Sequence, residues 1–531
     1  MTVSVGSTLD APGIHSDASS STSGSFPGFG EDAPLDLSGL TDAGLQAVTA
    51  RLIDKTFDAF AETAAAVKNC AHPVRLVGRS ETYQLDPATG EVGGLLSSFD
   101  SSDAPLGLLY RACGNRRADV CPSCSRTYAR DTFAMINAGL VGGKTVPDTV
   151  AENPLLFATF TAPSFGHVHG FRGGKPCRPR ARDKGERCPH GRATACHQRH
   201  DEDDAINGAP LCHECYDWQS AVIWQYCLPE LWRYTTQALR RALARRLGVP
   251  DSRLGKVASL QFVKVAEYQT RGLVHFHALI RLDGPDGPGS AAPLDGLDLA
   301  QILQAATAEV FLDAPPAYAG DLSRRLRWGK QLDIRVVREG DRLEDPDSDL
   351  TPGQVAGYLA KYATKDANSV RADAPRPHLT RLAEECRELA ESAAGHYGYG
   401  TDEKGKPLNP YHYLAKWAHM LGFRGHFSTK SRRYSITLGR LRRARARYQA
   451  LVAASHTDEE ARTQLLDLGQ LESLLLADDE ETTLVIGEWA YQGSGWTNPG
   501  DEALALAAAA RAREYHQWKA QTKSTNNDRS K

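Results

Sequence analysis

Hydrophobic and polar positions alternate most cleanly in LVHFHALIRL, residues 273–282, where Val274, Phe276, Ala278 and Ile280 fall on one face and His275, His277 and Leu279 on the other. That period of two predicts a strand. The run before it, KVASLQFVKVAEY, has the same strand composition, and Thr270-Arg271-Gly272 between the two predicts a three-residue hairpin loop with Gly272 in the left-handed region. LLFATFTAP from Leu155 and LDIRVV from Leu332 to Val337 read as further strands. Helical patterns lie in DAGLQAVTARLIDKTFDAFAETAAAVK, in WQSAVIWQYCLPELWRYTTQALRRALARRLG closed by Gly248 and Pro250, around Leu297 to Phe311, and from about Pro352. Strands and helices are thus mixed, with at least one hairpin, which predicts an α+β fold with an antiparallel sheet rather than a doubly wound parallel one.

Shifts of composition divide the chain. Residues 1–40 are rich in Ser, Gly, Asp and Pro and read as a disordered arm. Residues 41–148 hold a helix and a first cysteine region, 149–170 a strand, and 171–217 a polar, cysteine-rich stretch with almost no apolar periodicity, which needs a staple. The main mixed body follows over 218–448, and 449–531 reads as peripheral helices with a frayed tail. With 531 residues, 41% of them hydrophobic, the chain has material for more than one core. No run of eighteen apolar residues occurs and the N-terminus lacks the basic and apolar parts of a secretory signal, so a cytoplasmic protein with no membrane partner is expected. The net charge of -3 gives no overall bias toward a polyanion; only local distribution can do that.

The hairpin carries the first candidate chemistry. With Gly272 at the turn, Glu267 pairs across from His275, so a carboxylate joins two imidazoles on one face and open positions remain for water or substrate. Half-buried sheet histidines are the alternative. The helix in TPGQVAGYLAKYATKDA, opened by Thr351, Pro352 and Gln354 as a capping box, sets Tyr358, Tyr362 and Lys365 on one face with Lys361 beside them. Tyrosine titrates near 10, so a nucleophilic phenolate needs adjacent positive charge or an activated electrophile. A plain core stripe would use the same spacing.

Eleven cysteines in a cytosolic chain point to metal rather than disulfides. Cys121-Pro-Ser-Cys124 and Cys212-His-Glu-Cys215 are two CxxC pairs, each half a zinc site. The simplest closure adds Cys70 and Cys113 to the first and Cys188 and Cys196 to the second, giving two structural Zn²⁺ tetrads, with Cys177, His190, His197 and His200 as rival ligands of the second. A redox role is the alternative, disfavoured because neither pair reads as opening a helix within a βαβ unit. A second HxH, His167-Val168-His169, lies in an expected loop. Positive charge gathers between Arg424 and Arg447, nine Lys/Arg with no acid. Arg424, Lys430, Arg432, Arg433, Arg440, Arg442 and Arg443 are candidate phosphate contacts, with Tyr434 and Phe427 as stacking platforms, against the alternative of a solvated helix face.

Taken in order, FATFTAPSFGHVH, VAEYQTRGLVHFHALIRL and YLAKYATK resemble the three motifs of HUH endonucleases that initiate rolling-circle replication, and in particular the replication initiator (Rep) proteins of actinomycete plasmids and integrative conjugative elements. The resemblance runs from about Cys70 to Arg447 and takes in CGNRRADVCPSC, PLCHECYDW and TKSRRYS. It implies an HUH-type central antiparallel sheet with flanking helices, elaborated here by two zinc modules. It also implies tyrosine-mediated nicking of one origin strand through a 5′-phosphotyrosine, followed by strand transfer. His275 and His277 then correspond to the metal-binding pair, Glu267 to the third ligand of a Mg²⁺ or Mn²⁺ ion, Tyr362 to the nucleophile and Tyr358 to the extra tyrosine, with Lys361 or Lys365 stabilising charge. The implied partner is origin DNA, single-stranded at the nick. Because no GxxxxGK[ST] occurs, unwinding falls to a separate host helicase. A transposase or relaxase using the same chemistry, and a non-catalytic zinc-dependent DNA-binding regulator, are the rival readings.

Overall fold

The computed structural model describes residues 40–86, 88–180, 187–338, 352–363, 376–477 and 483–528. The expected disordered arm, apart from Leu40, lies outside them, as do Thr351 and Lys365. The chain divides into two compact units, Arg130–Leu476 and, from both ends of the sequence, Met1–Ala129 with Ala477–Lys531.

The central unit is built on a five-stranded antiparallel sheet. Its strands are β1 (Leu155–Phe160), β2 (Ser259–Tyr268), β3 (Val274–Asp283), β4 (Leu332–Arg338) and β5 (Ser428–Lys430), in the spatial order β5-β2-β3-β1-β4. The α+β class with antiparallel pairing is therefore as the periodicity predicts. One face carries Leu156, Ala158, Phe160, Ala266, Phe276, Ala278 and Ile280, all buried. Against it packs the helix α1 (Trp218–Arg246), whose Trp232 ring lies 5.3 Å from Phe160 and 5.7 Å from Phe276. Asp217 caps α1 by accepting from the Ser220 N–H at 2.9 Å. Each such aromatic contributes about 2–3 kcal/mol by leaving water, and this apolar layer leaves the opposite face of the sheet free to carry polar groups.

One residue of the apolar face breaks the pattern. Lys264 points into this layer with its Nζ 3.8 Å from the centre of the Phe276 ring and 5.9 Å from that of Trp232, and burial pushes its pKa down to about 7 from the ordinary 10.5. Between these two values the unfolded chain holds a proton that the folded one releases, so this lysine makes stability rise with pH across that window. Lys264→Met is expected to stabilise the fold by a few kcal/mol at pH 7 and to flatten that rise, read as denaturant midpoints at pH 7 and pH 10. Equal midpoint gains at both pH values would contradict it.

The terminal unit holds an antiparallel sheet in which Val74–Leu85 pairs on one side with Thr483–Ser494 and on the other with Val92–Asp100. Its core gathers Phe60, Cys70, Tyr110, Cys121, Cys124 and Trp496. The expectation that 449–531 forms only peripheral helices is corrected here. Residues 483–494 make a strand, because their hydrogen-bonding partner lies some four hundred residues upstream, where periodicity within a local window cannot register it. Among the described residues no helix is long and apolar enough to cross a membrane.

Candidate metal and tyrosine site

The hairpin turn between β2 and β3 forms as its residues dictate. Gly272 takes φ +79°, its N–H donates to the Gln269 carbonyl at 2.8 Å, and the Gln269 N–H donates to the Leu273 carbonyl at 2.9 Å. A Cβ at Gly272 would lie within about 3 Å of Leu379, Leu382 and Leu421, so the turn excludes larger residues on space as well as on φ. The register that follows pairs Glu267 with His275. Glu267 Oε2 lies 2.7 Å from His275 Nε2 and 2.9 Å from His277 Nε2, and the three side chains form one group with ligand atoms within 4.8 Å of each other.

Neighbouring strands hold the group in place. Thr159 on β1 lies opposite His277 in register, its Oγ1 3.1 Å from His277 Nδ1, which leaves Nε2 directed at Glu267. Phe157, two residues earlier on the same face, stacks parallel to the His277 ring at 5.7 Å. Burial favours a charged Glu267 least, yet the hydrogen bonds from His275 and His277 outweigh it and hold the carboxyl at about 2. Burial likewise pushes His277 down, against the pull of Glu267, which favours the neutral form that can ligate a metal. Two nitrogens and one carboxylate oxygen on a partly open face fit a divalent ion that keeps several waters, such as Mg²⁺ or Mn²⁺. Thr159→Val removes the group that orients His277 and is expected to weaken Mn²⁺ binding about 10-fold, measured by titration calorimetry; an unchanged affinity would deny Thr159 that role.

The helix α2 (Pro352–Ala363) lies against β2 and brings Tyr358 to this face. Val355, Ala356, Leu359 and Ala360 are buried beneath it, whereas Tyr358 is 42% exposed with its ring edge-on to His277 at 5.5 Å. Tyr362 follows one turn later on the same helix and Lys361 is exposed; the Tyr362 side chain and Lys365 lie outside the described residues. Thr159 and Phe157 are the site residues that sequence reasoning missed. Their signal was present in the period of LLFATF, which sets both on one face, but nothing local shows that face to be the histidine face.

The cysteines converge, in groups that differ from expectation. Cys70, Cys113, Cys121 and Cys124 form one, with the Cys70 Sγ 3.8 Å from that of Cys121 and 3.6 Å from that of Cys124. Here Cys121-x-x-Cys124 does open a helix, Pro122–Val141, but four sulfurs meet rather than a lone redox pair. The second expected set is corrected: Cys196 does not join Cys188, Cys212 and Cys215, whose fourth member is His190. Cys196 groups instead with His169, Cys177 and His200, because Arg178 and Cys196 pair across a two-strand bridge that sets Cys177 next to it.

Several basic-segment assignments are also corrected. Tyr434 is fully buried, its ring filling the space where Gly139 has no side chain, so it offers no platform to a base; Phe427 is buried against Tyr268 and Phe423. Arg424 pairs with Glu230 and lies over the Tyr226 ring. Lys430 Nζ donates to the carbonyls of Ser431, Arg432 and Ser435, with burial lowering it to about 8, and Arg440 donates to the Leu476 carbonyl. Arg432, Arg433, Arg442 and Arg443 are exposed.

Comparison with known proteins gives two findings. The profile of a family described as RepSA, replication initiator protein of pSAM2, matches residues 56–510. A replication initiator protein of Streptomyces ambofaciens is 40% identical over 461 residues, covering 83% of this chain and 87% of the relative. No solved structure matches.

Proposed function

Because this chain belongs to the RepSA family of replication initiator proteins, we propose that it is an HUH-type endonuclease that nicks one strand of a plasmid or element origin and later rejoins it. The observation that carries this reading is the meeting of Glu267, His275 and His277 on a partly open sheet face with the tyrosine helix alongside. A bound Mg²⁺ or Mn²⁺ would act there as a Lewis acid on the scissile phosphate.

The chain's own residues do the rest. Glu267, His275 and His277 supply the three ligands, and Thr159 keeps His277 turned toward them. The Tyr362 oxygen forms a bond to phosphorus as the bond from phosphorus to the 3′ oxygen breaks. The tyrosine proton leaves to solvent, the 3′ oxygen gains one, and a 3′-OH primer and a 5′-phosphotyrosine result. The phosphodiester on tyrosine conserves the bond energy, so a later hydroxyl, including that of Tyr358, can take the strand back. Lys361 stands on the same helix to offset charge on the phosphate, and the exposed Arg432, Arg433, Arg442 and Arg443 provide phosphate contacts. Origin DNA, single-stranded at the nick, is the partner, and a host helicase opens the duplex. The Cys70, Cys113, Cys121, Cys124 group and the Cys188, His190, Cys212, Cys215 group each have the donor set of a structural Zn²⁺ site.

The test is to incubate the chain with a single-stranded origin oligonucleotide and Mn²⁺ and to look for an adduct that survives SDS, with mass spectrometry locating the nucleotide on a tyrosine of 352–363. Origin binding without any adduct would overturn the nuclease reading and leave a DNA-binding regulator.

A further inference from the structure

We propose that His169, Cys177, Cys196 and His200 form a zinc site of their own, a third in the chain, and that this site seats the loop carrying the hairpin turn between β2 and β3. The ligand geometry comes first. Zinc bonds of about 2.0–2.3 Å at tetrahedral angles set neighbouring ligand atoms about 3.3–3.8 Å apart. In the structure His169 Nδ1 stands 3.2 Å from His200 Nε2, and Cys196 Sγ 3.6 Å from the same nitrogen. All four ligand atoms lie within 4.8 Å of one another.

The surroundings are those of a metal ligand set. The far nitrogen of His200, Nδ1, meets Asp204 Oδ2 at 3.0 Å, and the other oxygen of Asp204 accepts from the Ile206 N–H at 3.1 Å. A carboxylate on the remote nitrogen of a ligating imidazole fixes its tautomer and raises its basicity. The Gly170 N–H donates to Cys177 Sγ at 3.2 Å, which suits a thiolate. Cys177, Cys196 and His200 are each buried, the last with only 5% exposed.

Packing supplies the reason for an ion. Among the described residues between Pro163 and Tyr216, the buried apolar side chains are Cys177, Cys196, Cys212 and Tyr216. Among the described residues only its two ends reach the main core, through Phe165, Val168 and Tyr216, so between them metal–ligand bonds would supply the free energy that orders the stretch. The Cys188 group alone does not reach His169 or Cys177, which belong to the separate set.

The seating follows from the backbone. His169 exchanges hydrogen bonds with the neighbouring loop, its N–H donating to the Ala209 carbonyl at 2.8 Å and its carbonyl accepting from the Gly208 N–H at 2.9 Å. Gly208 is pressed on the hairpin turn so closely that a Cβ would sit 2.2 Å from the Thr270 carbonyl oxygen. Arg271, from the same turn, donates to the carbonyls of Ala162 and Pro163 at 2.9 and 3.0 Å. The zinc ligands therefore clamp the surface on which the strands bearing Glu267, His275 and His277 turn. Any consequence for nicking rests on the reading above; the metal content does not.

The experiment is zinc content per full-length chain by plasma mass spectrometry after chelator washing. Three ions in the wild type and two in Cys177→Ala are expected, with three again in His200→Cys, since thiolate and imidazole exchange in such sites. Two or fewer in the wild type overturns the site, whether or not Cys177→Ala folds. Co²⁺-loaded wild type gives a second measure: three tetrahedral equivalents on titration support the site and two overturn it. Hydrogen exchange at the Gln269 and Gly272 amides should quicken at least 10-fold in Cys177→Ala, and unchanged exchange in a folded two-zinc variant overturns the seating. Because none of these readouts involves DNA, failure here is distinguishable from absence of a nucleotide adduct.

Discussion

Tyr362→Phe is expected to abolish the covalent protein–DNA adduct, lowering its rate of formation by more than about 10⁴-fold, while origin binding measured by anisotropy stays within a factor of two or so. The phenyl ring keeps the size and helix propensity of the native residue and loses only the oxygen proposed to attack. Tyr358→Phe should retain the first adduct and slow rejoining of the displaced strand. The structure makes this pair of variants informative, because Tyr358 is the tyrosine whose ring stands edge-on to His277. An adduct that persists in Tyr362→Phe and vanishes in Tyr358→Phe would transfer the nucleophile's role to Tyr358.

His277→Ala carries the second large effect. The imidazole stands 2.9 Å from Glu267, stacks on Phe157 and is the most buried of the three candidate ligands. Its loss should reduce Mn²⁺-dependent nicking by about 10³-fold and raise the Mn²⁺ concentration needed for half-maximal rate. Glu267→Ala should behave alike, and the double variant should lose little more than either alone if, as proposed, both act through one ion. Losses that multiply in the double variant would show the two side chains to work separately. The linkage also has a direction in pH. Protons compete with metal for the imidazoles, so affinity should fall as pH drops through the histidine range, and the lowered proton affinity of His277 keeps that ligand available further into acid.

The parts of this molecule that local pattern could reach were read correctly in kind. The β2–β3 hairpin is one: its alternation, its turn glycine and the pairing of Glu267 with His275 are all short-range consequences of chain geometry. The helix from Pro352 is another. What could not be read depends on segments distant in sequence. Thr159 meets His277 only because β1 is inserted beside β3 in the sheet. Tyr434 looked like an aromatic among surface arginines, and only the packing of its ring on Gly139 makes it a core residue. The cysteine sets show the limit clearly. Spacing identifies CxxC halves, but whether Cys196 closes with Cys212 or Cys177 is decided by a backbone bridge between Arg178 and Cys196.

The terminal unit closes its sheet with Thr483–Ser494 and roofs the Cys70 group with Trp496, whose indole N–H donates to the Cys70 carbonyl at 3.0 Å. On the ribosome those pieces emerge after residues 130–476. The central unit pairs its strands within residues 130–476, whereas Cys70, Cys113, Cys121 and Cys124 wait for Thr483–Ser494 and Trp496 to be translated before their cover arrives. Until then these thiols lack the cover of Trp496, so an oxidant present during synthesis is expected to lower the yield of folded protein.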